Sequence, residues 1–191
     1  MRCAGCTQTA DVVLVLDASG SMEAYYDWQM QLAKEIVYNL NFANSRTRVA
    51  VVTYSTTPAV RFYLDQYFDR ESVLNAVSFL QENGRTGTAA ALRLTASDVF
   101  TQTRGDRAGA DNVVIVMTDG RSNVNEADTI PNTTTLKNNN VRIISISVGN
   151  AYDLQELNGM ASSPESSNVF IVDSEAAIQS ATSSIMDELC Q

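Results

Sequence analysis

Short apolar runs alternate with amphipathic segments along the whole chain. Within Asp11–Leu16 five consecutive residues are apolar, which is typical of a strand buried on both faces of a parallel sheet. We predict further buried strands at Arg48–Tyr54, Asn112–Thr118, Val141–Val148 and Val169–Val172. This alternation predicts a mostly parallel sheet with helices on both faces.

The segments between these runs carry apolar residues at helical spacing. We predict helices over Trp28–Leu40, from the N-cap Asp69 to Leu80, and over Thr88–Phe100, Ala127–Asn140, Asp153–Met160 and Glu175–Leu189. A short connection after the second strand predicts that Val60–Leu64 pairs with it as an antiparallel edge strand. We therefore expect a single doubly wound, Rossmann-like α/β domain over residues 1–191, with its core at about 11–189 and the strand order 3-2-1-4-5-6.

The composition narrows the chemistry that the chain can perform. Of its 191 residues 45% are apolar and 18% are charged, which is ordinary for a domain with a substantial core. The net charge of -9 disfavours nucleic acids and acidic lipids as partners. Histidine does not occur, which excludes Ser-His-Asp and Cys-His nucleophilic pairs and histidine-ligated zinc. No stretch approaches about eighteen consecutive apolar residues, so we expect no insertion into a membrane.

The three cysteines lie near the two ends of the chain. Cys3 and Cys6 precede the first strand, and Cys190 is the penultimate residue. Cysteines that bracket a domain favour a disulfide between its ends in an oxidising compartment. Cys6–Cys190 is the preferred pair, which leaves Cys3 for a bond to another chain. The spacing of Cys3 and Cys6 also occurs in redox motifs, but no βαβ unit precedes it here as in thioredoxin-like proteins.

Small hydroxyl and carboxylate residues follow two of the buried strands. Asp17, Ser19 and Ser21 come directly after the first strand, and Asp119 follows the fourth. In an open α/β sheet these strand ends lie side by side where the strand order reverses, so we expect the two aspartates to meet there. Two carboxylates and several hydroxyls, with no nitrogen or sulfur donor nearby, are typical of a site for a hard cation such as Mg²⁺.

These motifs resemble the metal-ion-dependent adhesion site of von Willebrand factor type A domains. The family pattern has Asp-x-Ser-x-Ser after the first strand, Thr-x-Thr before a later helix and Thr-Asp-Gly after the fourth strand. The matching positions here are Asp17, Ser19, Ser21, Thr86 and Asp119. The resemblance covers almost the whole chain and implies one site for Mg²⁺, or for Mn²⁺ or Ca²⁺. It also implies that the hydroxyls ligate the ion, that the aspartates bind it directly or through water, and that a carboxylate of a partner completes the octahedron.

The resemblance implies a protein-binding adhesion or matrix module. We expect a secreted protein of the extracellular matrix, with collagen or another matrix protein as its partner. The terminal cysteines favour the matrix branch of the family over the integrin inserted domain, which lacks that bracket. Asn132 begins an Asn-Thr-Thr sequon and is a candidate for N-glycosylation.

Three alternatives belong to other classes of function. One is a structural protein that organises fibres or mineral in a matrix, which suits the acidic charge equally well. Another is a regulatory domain of a larger enzyme, as in complement proteases. The third is an enzyme that uses Mg²⁺ for phosphoryl transfer, but the chain has no Gly-x-x-x-x-Gly-Lys loop and no histidine, so we predict that it is not an enzyme.

Overall fold

The computed structural model describes residues 8–190, which form six strands and six α-helices joined by shorter helical turns. The strands are β1 Ala10–Asp17, β2 Thr47–Tyr54, β3 Pro58–Phe62, β4 Asp111–Thr118, β5 Val141–Val148 and β6 Val169–Val172. They form one sheet in the order β3-β2-β1-β4-β5-β6. All neighbouring pairs are parallel except β2 and β3. The predicted strand order and the antiparallel edge strand are therefore confirmed.

Strand β1 lies at the centre of the sheet and is buried along almost its whole length. Val13 and Val15 belong to the core on one face, whereas Leu14 and Leu16 belong to the core on the other. This is why the strand is a continuous apolar run in the sequence. Because β2 and β4 pair with β1 on its two sides, the chain reverses its direction of winding between β1 and β4.

Helices cover both faces of the sheet. They are α1 Tyr26–Asn39, α2 Arg70–Ala76, α3 Thr88–Leu94, α4 Thr129–Asn138, α5 Leu154–Met160 and α6 Glu175–Leu189. The core on one face contains apolar side chains of α1, α2 and α6, and the core on the other contains those of α3, α4 and α5. The doubly wound architecture is therefore confirmed. None of the helices within residues 8–190 has the length and apolar character needed to cross a bilayer.

Two predicted helices end earlier than their apolar patterns indicate. The first begins as predicted, since the Asp69 side chain accepts a hydrogen bond of 2.9 Å from the backbone N–H of Ser72. It ends at Ala76, because Val77 leaves the helical conformation, and Leu80 is 87% exposed rather than on a buried helix face. The segment beyond Val77 instead turns toward the end of β1, where the Glu82 N–H donates to the carbonyl oxygen of Ala18 at 2.9 Å.

The helix predicted over Thr88–Phe100 is also divided. Its α-helical part ends at Leu94, and a single π-helical turn follows at Thr95–Val99. At this junction the Thr95 hydroxyl donates to the carbonyl oxygen of Ala91 at 2.9 Å. Such back-bonding by a threonine side chain competes with the regular helical pattern.

Strand β3 lies two residues earlier than predicted, because Pro58 already pairs with Tyr54. The lack of an N–H on proline is tolerated there, since β3 is an edge strand.

A buried ion pair closes the amino-terminal edge of the sheet. Asp11 is fully buried at the start of β1. Its Oδ1 accepts from the Arg107 guanidinium at 2.6 and 2.9 Å, and its Oδ2 accepts from the Arg107 backbone N–H at 2.8 Å. The same guanidinium donates to the carbonyl oxygens of Ala10, Ser45 and Arg46. Arg107 therefore holds the loop before β4 to the beginnings of β1 and β2.

We predict that Arg107→Ala lowers the free energy of unfolding by about 3–5 kcal/mol, because it leaves the Asp11 carboxylate buried without its partner. Urea denaturation followed by circular dichroism measures this loss. Arg104→Ala is the matched control, since Arg104 is exposed, lies 3.8 Å from Asp98 and stacks on Tyr63. We expect it to cost about 1 kcal/mol or less. Equal losses for the two variants would contradict the assignment.

Candidate metal centre

Three loops meet at the carboxyl edge of the sheet, where β1 and β4 lie side by side. One follows β1, one connects α2 to α3, and one follows β4. They bring together all five side chains that the sequence predicts as metal ligands, namely Asp17, Ser19, Ser21, Thr86 and Asp119. The topology explains this meeting, since adjacent parallel strands end at the same edge of the sheet.

Hydroxyl groups connect the members of this cluster. Ser19 Oγ lies 3.1 Å from Ser21 Oγ and accepts a hydrogen bond of 3.3 Å from Thr86 Oγ1. Ser21 Oγ donates to Asp119 Oδ1 at 2.9 Å. Asp17 joins the cluster through Oδ1, which accepts the backbone N–H of Ser19 at 2.9 Å. Oxygen atoms gathered this closely are the kind of donor set that one small, hard cation requires.

Four of the five residues in the cluster are buried. Asp17 and Ser19 are 0% exposed, and Thr86 and Asp119 are 3% exposed. Ser21, in contrast, is an exposed residue. A cation held among these oxygens is therefore accessible from the side of Ser21, and a partner can approach it there.

Neither carboxylate is paired with a cationic side chain among residues 8–190. Burial raises the pKa of Asp17 to about 6, although hydrogen bonds from Ser19 and Thr118 oppose this shift. Burial also raises the pKa of Asp119. A buried carboxylate is costly when charged, and a cation between the two would offset that cost.

The donor chemistry fits a small divalent cation. Across residues 8–190 no three acidic, cysteine or histidine side chains cluster as a metal site, so carboxylates alone do not form a cage here. The centre instead combines two carboxylates with three neutral hydroxyls. All of these donors are oxygens, and only two of them belong to charged groups. Such a site suits an ion that keeps water or a partner's oxygen in its coordination shell, as Mg²⁺ commonly does.

Two buried polar residues hold Asp17 in place. The side-chain amide of Gln29 accepts from the backbone N–H of Asp17 at 3.1 Å and donates to its carbonyl oxygen at 2.8 Å. The Thr118 hydroxyl donates to Asp17 Oδ2 at 2.9 Å. Gln29 is completely buried in α1, and Thr118 ends β4. Asp17 is therefore fixed from a helix and from the neighbouring strand.

Another set of contacts holds Thr86. Its backbone N–H donates to Asn123 Oδ1 at 3.0 Å, and its carbonyl oxygen accepts from Ser122 Oγ at 3.2 Å. The next residue, Gly87, packs so tightly that a side chain there would lie 2.7 Å from the carbonyl oxygen of Ser55. Only glycine fits at such a close backbone approach. The loop after β4 and the loop after β2 thus fix the position of Thr86.

Sequence reasoning missed these supporting residues. Gln29 left one signal, since it is a polar residue on the helical face that also carries Leu32 and Ile36. Asn123 and Ser122 left none, because loop residues contribute no periodic pattern and their contacts with Thr86 span more than 30 positions.

Two other predicted sites, the glycosylation site and the disulfide, stay predictions. Asn132 lies in the first turns of α4, and its Nδ2 donates to the carbonyl oxygen of Ala89 at 2.8 Å. N-glycosylation would replace a hydrogen on that nitrogen, so a glycan would compete with a contact between α3 and α4. N-glycosylation of Asn132 stays a prediction. Cys190 follows α6, whereas Cys3 and Cys6 lie outside the described residues, so the Cys6–Cys190 pair also stays a prediction.

The sequence-family model of the von Willebrand factor type A domain matches residues 11–184 of this chain. The chain belongs to this family. Matrilin-3 of Gallus gallus is 34% identical over 186 residues, which are 94% of this chain and 40% of matrilin-3. Integrin alpha-1 of Gallus gallus is 28% identical over 91% of this chain and 64% of its own length. The human (Homo sapiens) collagen alpha-5(VI) chain is 30% identical over 94% of this chain and 7% of its own length. These relatives are matrix or adhesion proteins rather than enzymes, and this chain spans less than two thirds of each.

Solved structures of low sequence identity share the fold. Proximal thread matrix protein 1 from the mussel byssus was solved with a zinc-occupied metal-ion-dependent adhesion site (MIDAS) motif, and it has a TM-score of 0.89 at 23% identity. The match covers 97% of this chain and 49% of that one. The manganese-loaded TRAP protein of Plasmodium vivax has a TM-score of 0.79 at 21% identity, over 97% of this chain and 75% of that one.

We predict that Gln29→Leu weakens the binding of Mn²⁺ or Mg²⁺ by about tenfold or more, because the backbone of Asp17 loses both amide contacts. Isothermal titration calorimetry of metal-free protein measures the affinity. Gln31→Leu is the matched control: Gln31 lies on the exposed face of the same helix and bonds Glu35 at 2.9 Å. The prediction is wrong if a folded Gln29→Leu protein binds metal as tightly as the control does.

Proposed function

We propose that this chain is the protein-binding module of a secreted adhesion or matrix protein. It binds its partner through one divalent cation held by Asp17, Ser19, Ser21, Thr86 and Asp119. The observation that supports this most directly is that these five side chains form one hydrogen-bonded cluster at the strand-order reversal, buried except at Ser21.

Each part of the site has a distinct task. Asp17 and Asp119 supply the negative charge that retains a divalent ion. The hydroxyls of Ser19, Ser21 and Thr86 supply neutral oxygens, so they add no further negative charge that would repel an acidic partner. When bound, the cation supplies a Lewis-acidic position for a carboxylate oxygen. The exposed side of the site at Ser21 lets a glutamate or aspartate of the partner reach that position.

Mg²⁺ is the cation that we propose, with Mn²⁺ or Ca²⁺ as alternatives. The all-oxygen donor set and the small number of carboxylates favour Mg²⁺, which binds few protein groups and keeps other ligands in its octahedron. Mn²⁺ suits the same kind of oxygen donors. The zinc and manganese in the two solved structures support a divalent cation at this place in the fold.

The partner that we propose is a protein of the extracellular matrix, with collagen as one candidate. The similarity to matrilin-3 and to a collagen VI chain supports this setting. A second candidate function, the organisation of fibres within a matrix, is favoured by the shared fold with the byssal thread matrix protein.

We predict that Thr86→Val abolishes cation-dependent binding to matrix proteins, because valine keeps the shape of threonine but removes the ligand oxygen. The measurement is surface plasmon resonance against immobilised collagens and other matrix proteins, with Mg²⁺, Mn²⁺, Ca²⁺ and EDTA arms. Thr135→Val is the matched control, since Thr135 is exposed on α4, lies outside the Asn132 sequon, and its hydroxyl bonds only its own helix, at Pro131. Binding that is unchanged in EDTA, or equal in the two variants, would overturn the proposed function.

We further propose that a Cys6–Cys190 disulfide joins the two ends of the domain and restrains α6, which ends directly before Cys190. Cys3 and Cys6 are separated by only two residues and stay on one peptide after digestion. Tandem mass spectrometry of the unreduced digest is therefore expected to assign the link to Cys6 and Cys190 and to leave Cys3 outside it. Reduction is then expected to lower the free energy of unfolding by up to about 5 kcal/mol, because it releases a long closed loop. A linked peptide that joins Cys3 to Cys190 would refute this pairing.

A further inference from the structure

Two arginines lie in the loops that form the metal centre, and their surroundings differ. Arg85 directly precedes the ligand Thr86, and Arg121 comes two residues after the ligand Asp119. Both are exposed in a protein whose net charge is -9. The positive charge of a guanidinium beside a cation site repels the metal, and a nearby anion offsets this repulsion.

Arg121 already has its anions. It forms an ion pair with Glu126, and its Nε lies 3.6 Å from Asp153 and 4.0 Å from Glu156. Three carboxylates therefore surround one guanidinium, so this group has no uncompensated positive charge to offer to a partner.

Arg85 has no such compensation. Within residues 8–190 no carboxylate forms an ion pair with it. Its guanidinium instead donates to the backbone carbonyl oxygen of Asn123, and its backbone N–H donates to Thr56 Oγ1 at 3.0 Å. A guanidinium carries five N–H donors, so most of them stay available.

Asn123 determines where the Arg85 head group lies. Its carbonyl oxygen accepts from Arg85, while its Oδ1 accepts from the backbone N–H of Thr86. The same residue thus positions a metal ligand and the charged group next to it. Among the described contacts, none joins the Arg85 guanidinium to any of the five ligand side chains, so it lies beside the cluster rather than within it.

We propose that Arg85 binds a second carboxylate of the partner, next to the one that reaches the cation. The recognised feature is then a closely spaced pair of acidic residues rather than a single one. The planar fork of a guanidinium matches a carboxylate, and this second anion also offsets the repulsion between Arg85 and the metal. This inference rests on the proposed function, since it requires the first carboxylate to bind the cation.

Short synthetic peptides test the inference without knowledge of the partner. One blocked glycine peptide carries a single glutamate, and three others carry two glutamates separated by zero, one or two glycines. Their affinities for Mg²⁺-loaded protein are measured by NMR titration, with EDTA arms. We expect at least one two-glutamate peptide to bind about fivefold more tightly than the single-glutamate peptide. Arg85→Gln is expected to remove this preference without weakening the binding of Mg²⁺ or of the single-glutamate peptide.

Arg121→Gln is the matched control and is expected to keep the preference. The inference is overturned if no two-glutamate peptide is preferred, if the preference survives Arg85→Gln, or if Arg85→Gln weakens all peptides equally, since Arg85 would then contact the same carboxylate as the cation. In each of these cases Mg²⁺-dependent binding of the single-glutamate peptide still supports the proposed function. Loss of that binding, or its persistence in EDTA, counts against both.

Discussion

Two buried carboxylates, to which residues 8–190 supply no ion-pair partner, are the constraint around which the rest of the site is arranged. Asp17 and Asp119 end up together because β1 and β4 are neighbours that finish at the same edge of the sheet. A charged carboxylate in such a place is unfavourable unless it is compensated. We propose that a divalent cation compensates both, and that the surrounding hydroxyls complete its coordination without adding charge.

The fold holds these groups rigidly from several directions. The amide of Gln29 fixes the backbone of Asp17 from α1, and Thr118 fixes its side chain from β4. Asn123 and Gly87 fix the position of Thr86. Rigid placement matters because the proposed ligands come from three separate loops, and a cation binds well only where their oxygens are already arranged for it. At the opposite edge, the Asp11–Arg107 pair joins the beginnings of the central strands.

The amino-acid sequence was sufficient to predict the architecture and to identify five side chains that the fold brings together, whose role as metal ligands stays a prediction. Buried parallel strands are continuous apolar runs, and the five ligand positions form short motifs at strand ends. The course of residues 77–87 could not be predicted, since Leu80 continues a helical apolar pattern although the backbone departs from the helix at Val77. Contacts such as those of Asn123 and Gln29 were beyond reach for another reason: they are set by tertiary packing between distant segments rather than by local periodicity.

The most direct test of the account is a crystal structure of the protein grown or soaked with Mn²⁺, with anomalous diffraction to locate the metal. We predict one anomalous peak at the carboxyl edge of the sheet, about 2 Å from the hydroxyl oxygens of Ser19, Ser21 and Thr86, with Asp17 and Asp119 bound directly or through water. No peak at this cluster, or a peak held by other residues, would contradict the central claim.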